Sequence, residues 1–486
     1  AEGYSSHTTY DRSGNVIEEI DRRGNVTSHG YDALNRRIRT AQHLTHPVTG
    51  LPWNVVTQRI FDRVGNLEHE IVANGNRVVH VYDALNRLQS SSDSIGPSVS
   101  YEYDTRGNEV AKTDGNGHTT TFDYDPFDRM TLSQLPTIRD LWWEWDIAGN
   151  RIASRNGNGA RTDYQPDALD RVVAVRYPEV DGVLLESSST YDLVGNRLTA
   201  TDRNGNTSTF EYDELDRVVA VHDPPLAGPS GQQYSITTIY DAVGNRVAET
   251  DRRGVTSRWV YDRENRPVEN YRDGVLISRT TYDPNGNAED ITDANGNVTH
   301  TVFDERNLPT RIERPEGTVT TFVRDEMGDV TREIDAEGKE TIRGFDLRRR
   351  VISETNGEGE TTVFTYDFNN NLTTITRPLG QTWTRVYDRG NRMIRVIDPF
   401  NNRTAYEWDG QDNLKGVIDA LERGAYSQYD ALDRLRRTFE PDGSSWIYTY
   451  DGNGNRLTAT DPKGQTAASS FDEVNREVLR NYTAPT

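Results

Sequence analysis

The chain has 486 residues, no cysteine and a formal net charge of −22. The lack of cysteine excludes disulfides and thiol chemistry, and the net acidity argues against nucleic acid, whose binding proteins present basic stripes. Only 33% of the residues belong to the AVILMFWYC set, which is too few for the core of a packed sandwich or closed barrel. No apolar run is long enough to span a membrane.

An aromatic residue followed by aspartate recurs along the chain at a spacing of 21 residues. The aromatics are, in chain order, Tyr10, Tyr31, Phe61, Tyr82, Tyr103, Tyr124, Trp145, Tyr191, Tyr212, Tyr240, Tyr261, Tyr282, Phe303, Phe345, Tyr366, Tyr387, Trp408, Tyr429, Tyr450 and Phe471. Pro166-Asp167 and Arg324-Asp325 keep the spacing without the aromatic. These are 22 registers, and 18 of the 21 intervals between them are 21 residues long. A fixed period of this kind predicts one continuous repeat array over residues 1–486.

Each repeat contains two extended segments and two turns, as residues 190–213 illustrate. Gly195-Asn196 and the stretch 202–206 have turn chemistry, because Gly and Asn tolerate positive φ. Between the turns apolar and polar residues alternate, and Thr, Val, Tyr and Phe are frequent, which is typical of strands. The sequence therefore predicts an all-β antiparallel hairpin ribbon of about 44 strands without helices.

The turns that follow the aromatic–Asp pairs, which we call YD turns, alternate between two kinds. One kind contains Gly-Asn, as at Gly195-Asn196, and the other ends in arginine. The arginines are Arg36, Arg87, Arg129, Arg171, Arg217, Arg266, Arg350, Arg392, Arg434 and Arg476. Only Leu308 interrupts this arginine series. The true repeat is therefore 42 residues, or two unlike hairpins. We call the second turn of each 21-residue repeat the distal turn.

These two turn motifs and their 42-residue pairing resemble the RHS or YD-repeat family over about residues 8–480. That family includes bacterial Rhs polymorphic toxins, the B and C components of insecticidal toxin complexes, and the animal teneurins. The resemblance implies a spiralling β-ribbon that forms a hollow shell, often around a toxic C-terminal domain. It also implies a secreted or cell-surface location.

Arginine supplies 51 of the 55 basic residues. Because the planar guanidinium group suits bidentate pairing and stacking on rings, we expect Asp–Arg ladders, such as Asp83 or Asp104 with Arg87. Rings two residues apart, such as Phe122 and Tyr124, share a strand face and are expected to stack into ladders across neighbouring strands. The alternative for these rings is a sugar-binding aromatic track.

The sequence predicts no catalytic, cofactor or metal site, and hence a protein that is not an enzyme. Asp-rich turns such as 202–206 and 293–297 lack the 12-residue calcium loop and are expected to be Asx-turns. The nine histidines form no ligand-spaced motif. The family's self-cleaving core is marked by Asp-Pro-x-Gly-Leu, and residues 461–464 match its first four positions. Gln465 replaces the leucine, however, so we expect an ordinary distal turn there.

Three repeats contain extra residues, around 42–53, 177–189 and 223–233. All three follow arginine-type turns and fall in the distal turn, so they are expected to project from the same edge of the ribbon. Loops carry function more often than strands, and the alternative is that the insertions are merely tolerated.

We expect a structural shell segment that walls off a cargo, such as a toxin domain, with a glycan- or surface-binding adhesion module as the alternative. The chain begins and ends within a repeat, so further repeats or cap domains are expected partners.

About 44 strands at about 4.8 Å give a ribbon on the order of 210 Å long. One revolution would be roughly 65 Å across with a lumen of about 45 Å, and two revolutions would leave under about 15 Å. The expected form is a single curved band whose open edges invite self-association.

Overall fold

The computed structural model describes residues 5–137, 139–227 and 231–483. Its strands are β1 His7–Tyr10, β2 Val16–Ile20, β3 Val26–Tyr31, β4 Arg37–Thr45, β5 Pro52–Phe61, β6 Leu67–Ile71, β7 Arg77–Tyr82, β8 Leu88–Ser92, β9 Pro97–Tyr103, β10 Glu109–Asp114, β11 Thr119–Tyr124, β12 Met130–Gln134, β13 Asp140–Trp145, β14 Arg151–Arg155, β15 Arg161–Pro166, β16 Val172–Arg176, β17 Glu186–Tyr191, β18 Arg197–Thr201, β19 Thr207–Tyr212, β20 Val218–His222, β21 Ser235–Tyr240 and β22 Arg246–Thr250. They continue as β23 Thr256–Tyr261, β24 Pro267–Arg272, β25 Val275–Tyr282, β26 Ala288–Asp293, β27 Val298–Phe303, β28 Pro309–Glu313, β29 Val319–Arg324, β30 Val330–Ile334, β31 Glu340–Phe345, β32 Val351–Thr355, β33 Thr361–Tyr366, β34 Leu372–Thr376, β35 Thr382–Tyr387, β36 Met393–Ile397, β37 Arg403–Trp408, β38 Leu414–Ile418, β39 Gly424–Tyr429, β40 Leu435–Phe439, β41 Ser445–Tyr450, β42 Arg456–Thr460, β43 Thr466–Phe471 and β44 Glu477–Thr483.

The described residues form one 44-stranded antiparallel sheet in which each strand pairs with the next along the chain. None of the described residues is helical. The predicted all-β hairpin ribbon and its strand number are therefore confirmed. Each aromatic–Asp pair lies where an odd-numbered strand ends and its YD turn begins, so the YD turns line one edge of the ribbon and the distal turns line the other.

The sheet is a single layer with little core. Apart from leucines 44, 132 and 185, the buried apolar side chains of the described residues are alanines. Among the described residues no large side chain is fully buried. This thin sheet matches the low apolar content of the sequence. Its cohesion must therefore come from hydrogen bonds and from contacts between neighbouring turns.

Every YD hairpin carries a β-bulge at the aromatic position. In the hairpin of β19 and β20, for example, Glu211 lies opposite Ala220 and the next residue, Tyr212, lies opposite Val218. The same shift occurs at Tyr10 in the first hairpin and at Phe471 in the last. Bulges bend the strand and increase its twist. A bulge in every second strand connection therefore curls the ribbon along its whole length.

The ribbon curls into a spiral of nearly two revolutions, so the expected curling is confirmed and the expected single revolution is wrong. Turns about 250 residues apart lie side by side: Asn116 bonds Asp367, 251 residues further on, and Arg203 bonds Asn453, 250 residues further on. Twelve registers of 21 residues account for this spacing, so one revolution contains about 24 of the 44 strands. The expectation of one revolution used strand spacing alone and left out the curvature that the bulges impose.

The lumen is correspondingly narrower than the one-revolution estimate. About 24 strands at about 4.8 Å give a circumference of roughly 115 Å and a diameter of roughly 37 Å, before strand tilt widens it. Subtracting about 10 Å on each side for the wall and its side chains leaves roughly 17 Å. We call residues up to about 260 the first revolution, the rest the second revolution, and the line where they meet the seam.

Candidate functional site: the turn ladder and the seam

The repeated tyrosine forms a hydrogen bond with the preceding repeat. The Tyr82 hydroxyl donates to the Leu67 carbonyl oxygen at 3.1 Å, fifteen residues earlier in the chain. The same bond is made by Tyr31, Tyr103, Tyr124, Tyr191, Tyr212, Tyr261, Tyr282, Tyr366, Tyr387, Tyr429 and Tyr450. Trp145 makes it with its indole N–H, and Arg324 makes it with its guanidinium group. A polar tip at the aromatic position therefore ties most YD strands to the unit before them.

The repeated arginine joins its own turn to the next one. In the YD turn at 83–87, Arg87 Nε donates to the Asp83 carboxylate at 2.7 Å, and its Nη1 donates to the Asp104 carbonyl oxygen at 3.0 Å. Its guanidinium carbon lies 4.6 Å from the centroid of the Tyr103 ring. The carboxylate bond to the turn's own aspartate recurs at Arg36, Arg129, Arg171, Arg217, Arg266, Arg350, Arg392, Arg434 and Arg476. Each arginine of this series therefore acts as a clamp, because its side chain binds the aspartate of its own YD turn.

The asparagine of each Gly-Asn turn makes the alternate link. The Asn66 side-chain amide donates to its own Asp62 carboxylate at 2.9 Å and to Asn86 Oδ1 in the following arginine-type turn at 3.1 Å. Asn86 is held at a φ of 62°, a conformation that Asn and Asp tolerate better than other non-glycine residues. The fourth residue of most arginine-type turns is therefore Asn or Asp, which accepts this bond, whereas Gly holds the fourth position in most Gly-Asn turns.

Many aspartates of the first-revolution YD turns are held in the ionised form. The pKa of Asp83 is lowered by hydrogen bonds from the Arg87 backbone and side chain, and the pKa of Asp104 is lowered by bonds from Asn108. The same direction applies to Asp32, where the Arg36 amide is the largest cause. Hydrogen bonds that the charged carboxylate accepts favour that form. These carboxylates therefore stay charged at a lower pH than a free aspartate does.

The expectation that aromatic rings stack into ladders across neighbouring strands is wrong. The rings stack against arginine guanidinium groups instead. The YD aromatics lie on every second strand, about 9.6 Å apart, which is beyond ring contact. Within the described residues, rings two apart are in contact only at Tyr101–Tyr103 and Trp446–Tyr448, with centroids 6.4 and 6.5 Å apart. Arginines fill the gaps between rings instead, as Arg87 does against Tyr103.

At the seam, distal turns of the first revolution meet YD turns of the second through paired amides and carboxylates. Asn204 Nδ2 donates to Asp451 at 3.0 Å, and Asn453 Nδ2 donates back to Asp202 at 2.6 Å. The same reciprocal pair joins the turn at 114–118 to the turn at 367–371. In each case the donor is the third residue of its turn. Because both partners are satisfied, the pair fixes the register between revolutions.

A largely buried ion pair strengthens the seam where an arginine-type turn meets a distal turn. Arg348 Nε and Nη2 donate to the two oxygens of Asp93 at 2.6 and 3.0 Å, and both side chains are 9% exposed. Arg348 also donates to the Phe368 carbonyl oxygen at 2.7 Å. Burial opposes ionisation of Asp93, but bonds from Arg348 and two backbone amides still lower its pKa.

Glycines at the second position of the seam turns allow two backbones to touch. A Cβ added to Gly157 would lie 2.0 Å from the Gly410 carbonyl oxygen, and one added to Gly410 would lie 2.2 Å from that of Gly157. Gly452 has the same relation to the Arg203 carbonyl oxygen, at 2.6 Å. Any larger residue at these positions would force the two revolutions apart.

All three insertions lie at the seam, on the predicted common edge. Next to the first, Arg306 lies over the Trp53 ring at 5.8 Å. In the second, Asp181 pairs with Arg436 at 2.7 Å. After the third, of which residues 228–230 lie outside the described residues, Arg476 lies over the Tyr234 ring at 4.9 Å. The insertions therefore make contacts between revolutions.

The turns that resemble calcium or self-cleaving motifs are ordinary hydrogen-bonded turns. Asp202 Oδ1 accepts from the amides of Asn204 and Asn206, which confirms the predicted Asx-turn. Asp461 Oδ1 accepts in the same way from the amides of Lys463 and Gln465. In the described part of the chain, no group of three or more histidine, aspartate or glutamate side chains is arranged to hold a metal ion. Residues 5–137, 139–227 and 231–483 contain no helix long and apolar enough to cross a membrane.

Comparison with known proteins identifies the class of repeat protein to which this chain belongs. The architecture defines an all-β superhelical repeat protein whose units are hairpins joined turn to turn. The RHS Repeat family model matches residues 10–45, 82–119, 103–136, 191–224, 240–276 and 429–466. The Teneurin YD-shell model matches residues 273–413. The chain therefore belongs to the RHS/YD-repeat family. No curated protein sequence matches it.

Solved structures of toxin-complex shells share the fold. The crystal structure of TcdB2-TccC3-TEV matches over 99% of this chain and 35% of its own, with a TM-score of 0.61 at 14% identity. TcdB2-TccC3 matches over 98% of this chain and 32% of its own, with a TM-score of 0.57 at 15% identity. A Tc holotoxin pore from Photorhabdus luminescens matches over 99% and 27%, with a TM-score of 0.50 at 17% identity. This chain thus spans about a third of those chains, and the likeness establishes a shell-forming repeat fold.

Proposed function

We propose that the chain is a wall segment of a secreted or cell-surface shell that encloses a polypeptide cargo, and that it has no catalytic role. The observation that carries this proposal is the seam. Reciprocal amide–carboxylate pairs such as Asn204–Asp451 and Asn453–Asp202 join consecutive revolutions edge to edge. A ribbon sealed in this way is a continuous wall around an interior, whereas an adhesion surface has no need to be sealed.

The size of the interior favours a cargo chain that is extended or only partly folded. A folded domain of 100 residues has a radius of gyration of about 13 Å, and its diameter exceeds the lumen of roughly 17 Å estimated before strand tilt. The toxin-complex components in the matched structures and the resemblance to polymorphic toxins support a toxin segment as the cargo. Further repeats or a cap would close the open ends.

The adhesion alternative receives less support from the rings. Sugar binding on an aromatic track needs open ring faces, but guanidinium groups cover one face of many YD rings, as Arg217 does at 4.6 Å from Tyr240. Arg266 lies at 4.5 Å from Tyr282 in the same way. The ring–arginine stacks therefore serve the wall, because the same arginines clamp adjacent turns.

A protease-protection assay tests the enclosure. An unstructured segment of about 60 residues with several cleavage sites is fused after Thr486, and its cleavage rate is compared with that of the free segment. We expect at least about a tenfold slower cleavage in the fusion, because the wall excludes the protease. Circular dichroism verifies that the ribbon stays folded.

A seam variant, Gly157→Ala with Gly410→Ala, is the matched control and should restore fast cleavage. Cleavage of the fused segment at the free rate, with the ribbon intact, would exclude enclosure by these residues. Binding to a glycan array together with fast cleavage would favour the adhesion alternative.

A further inference from the structure

Asparagine followed by glycine is concentrated at the seam. Seven turns of the chain have Asn at the third position and Gly at the fourth. Six of these seven asparagines donate hydrogen bonds across the seam: Asn74, Asn116, Asn158, Asn204, Asn285 and Asn453. The seventh, Asn295, is exposed in a distal turn of the second revolution. The same dipeptide therefore joins the two revolutions at several points.

Asn-Gly is the dipeptide in which asparagine most readily loses its amide without an enzyme. Because glycine has no Cβ to crowd the approach, its backbone nitrogen can attack the carbonyl carbon of the Asn side chain. A bond forms between that nitrogen and that carbon, the bond from the carbon to Nδ2 breaks, and Nδ2 leaves as ammonia with the proton that the glycine nitrogen gives up. Water then opens the ring at either carbonyl. The product is aspartate or isoaspartate, and water is the only other reactant.

The opposite turn holds both ends of these side-chain amides. Asn158 Nδ2 donates to Asp409 at 3.0 Å, and its Oδ1 accepts from the Gly410 amide at 2.9 Å. Asn116 is bound in the same way by the turn at 367–371. Rotation of such a side chain toward its own glycine nitrogen breaks both bonds. The reaction therefore requires the seam to open at that point.

The turn alone does not supply this restraint. Gly117 donates to the Asp114 carbonyl oxygen at 3.0 Å in a seam turn, and Gly296 makes the same bond in its own turn at 3.1 Å. Within the described residues, however, the Asn295 side chain makes no hydrogen bond, and only its backbone amide donates. What distinguishes the seam asparagines is therefore the contact with the opposite turn.

Conversion at the seam places two carboxylates against each other. Asn204 donates to Asp451, and Asn453 donates to Asp202, so an aspartate at either position loses its donor and faces a like charge. Like charges at such short range oppose each other's ionisation. Isoaspartate also lengthens the backbone by its Cβ atom, in turns that pack closely against their partners. The product therefore cannot remake the seam bond.

We propose that the Asn-Gly pairs of the seam are spontaneous deamidation sites, which the closed seam protects and whose reaction prevents an opened seam from closing again. This goes beyond the proposed wall function, because it assigns a modification site and makes the opening of the wall irreversible. A wall that closes promptly keeps its amides, whereas a wall that is held open loses them. The test needs no cargo, so its outcome is independent of the enclosure assay.

Peptide mass spectrometry at neutral pH tests the protection site by site, from the aspartate and isoaspartate formed over time. In the chain unfolded in urea, the identical Asn-Gly-Asn tripeptides at 204–206 and 295–297 should react at the same rate. In the folded chain, Asn204 should react at least about tenfold more slowly than Asn295, because its reaction waits for local opening of the seam. Equal rates at the two sites of the folded chain would overturn the proposal.

Opening the seam at one point should expose one site. Gly410→Ala changes the turn opposite Asn158 and leaves the reacting dipeptide intact, and its Cβ would lie 2.2 Å from the Gly157 carbonyl oxygen. Asn158 should then react at least about fivefold faster than in the wild type, because local opening is no longer needed. Asn204, which lies further along the seam, should stay slow.

Arg348→Ala is the second variant and should accelerate the reaction at Asn116, which lies in the next distal turn. Circular dichroism verifies the fold of both variants, and hydrogen exchange verifies the local opening. Sites that stay slow beside an opened seam would contradict the protection. Acceleration of Asn204 as large as that of the neighbouring site would place the protection in the ribbon as a whole and overturn the proposal equally.

The product variant Asn204→Asp tests whether a reacted seam can close. Hydrogen exchange at residues 202–206 and 451–455 should rise at least about fivefold, because the seam bond is lost, with protection in β19 and β20 retained. Asn295→Asp is the control and should leave exchange at the seam unchanged. A seam that is as protected in Asn204→Asp as in the wild type would show that the reaction does not hold the wall open.

Discussion

The YD turns of the two revolutions share one ladder but meet different surroundings. The turn at 146–150 in the first revolution and the turn at 451–455 in the second both end in Asn, and in both the first aspartate accepts from that Asn side chain. At the third position, however, the first has Ala148 and the second has Asn453, which bonds across the seam. The first and fifth residues of a YD turn therefore build the turn, while the second and third decide what its edge contacts.

The distal turns of the two revolutions differ in the same way, except that the distal turns at the seam belong to the first revolution. In the first revolution the turn at 114–118 presents Gly115 and Asn116 to the seam. In the second revolution the turn at 377–381 has Pro378 and Leu379 at the same two positions, and Leu379 is exposed. In these two turns, the second and third residues differ between the edge at the seam and the edge away from it.

Acidification should weaken the hydrogen bonds that the YD aspartates accept, and we expect this to have the largest effect on stability. The pKa values of YD aspartates such as Asp83 and Asp104 lie below their ordinary value of 3.8. A group with a lowered folded pKa contributes stability above its unfolded pKa, and that stability is lost as the pH falls through the folded pKa. Thermal midpoints measured by circular dichroism should hold from pH 7 to about 5 and fall steeply below about pH 4. A midpoint unchanged down to pH 2 would contradict the carboxylate ladder.

Removing Arg348 should break the seam and leave each revolution intact. Arg348→Ala leaves the buried Asp93 carboxylate without its partner, which costs about 3 kcal/mol of seam stability. Hydrogen exchange should show faster exchange at residues near 93–98 and 346–350, with protection in β11 and β33 retained. The matched control is Arg349→Ala, since Arg349 pairs with Asp329 within its own revolution. Equal effects of the two substitutions would argue against a distinct seam.

Added bulk between the touching backbones should separate the revolutions at one point. Gly157→Ala and Gly410→Ala each place a Cβ within 2.2 Å of a backbone oxygen, and overpacking of this kind costs about 1–3 kcal/mol. Gly30→Ala is the control, because its nearest contact would be an ordinary 3.4 Å. Cysteines placed across the seam by substitution, at Asn158 and Gln411, would report the separation through loss of disulfide cross-linking in the alanine variants.

Much of this fold could be predicted because it follows from local chemistry. Alternating polar and apolar residues and turn residues with positive φ specify hairpins, so the strand number and the two kinds of turn were accessible from the sequence. The Arg87–Asp83 contact was accessible too, because the residues belong to one five-residue turn. Arg87 also reaches Asp104, but through its carbonyl oxygen rather than its carboxylate.

The number of revolutions was not accessible from strand spacing, because it depends on contacts between residues about 250 positions apart. A signal was nevertheless present in the sequence. Gly at the second position and Asn at the third recur together at 115–116, 157–158 and 452–453, and these turns lie at the seam. The polar tip of the repeated tyrosine was the other missed signal, since phenylalanine would suffice for packing alone.

Replacing the ladder arginines by lysine tests the links that lie within one revolution. In the triple variant Arg87→Lys, Arg129→Lys and Arg217→Lys the charge is kept, but the bidentate geometry and the stack on the next ring are lost. Each lost guanidinium–ring contact costs about 0.5–1 kcal/mol. The thermal midpoint should fall, while the exchange protection at the seam is unchanged. Identical melting of the variant and the wild type would rule out the arginine clamps.

The smallest expected effect comes from charging a single seam amide. Asn453→Asp replaces the amide that donates to Asp202 and to Asn475 by a second carboxylate, so two hydrogen bonds are lost and two like charges face each other. We expect local destabilisation of about 1 kcal/mol, seen as faster exchange at residues 202–206 and reduced by high salt. Asn295→Asp is the matched control, because Asn295 is the exposed third residue of a distal turn in the second revolution, away from the seam, and should tolerate the charge. If both substitutions accelerate exchange equally, the third position does not distinguish sealed from free edges, and the comparison between the two revolutions fails.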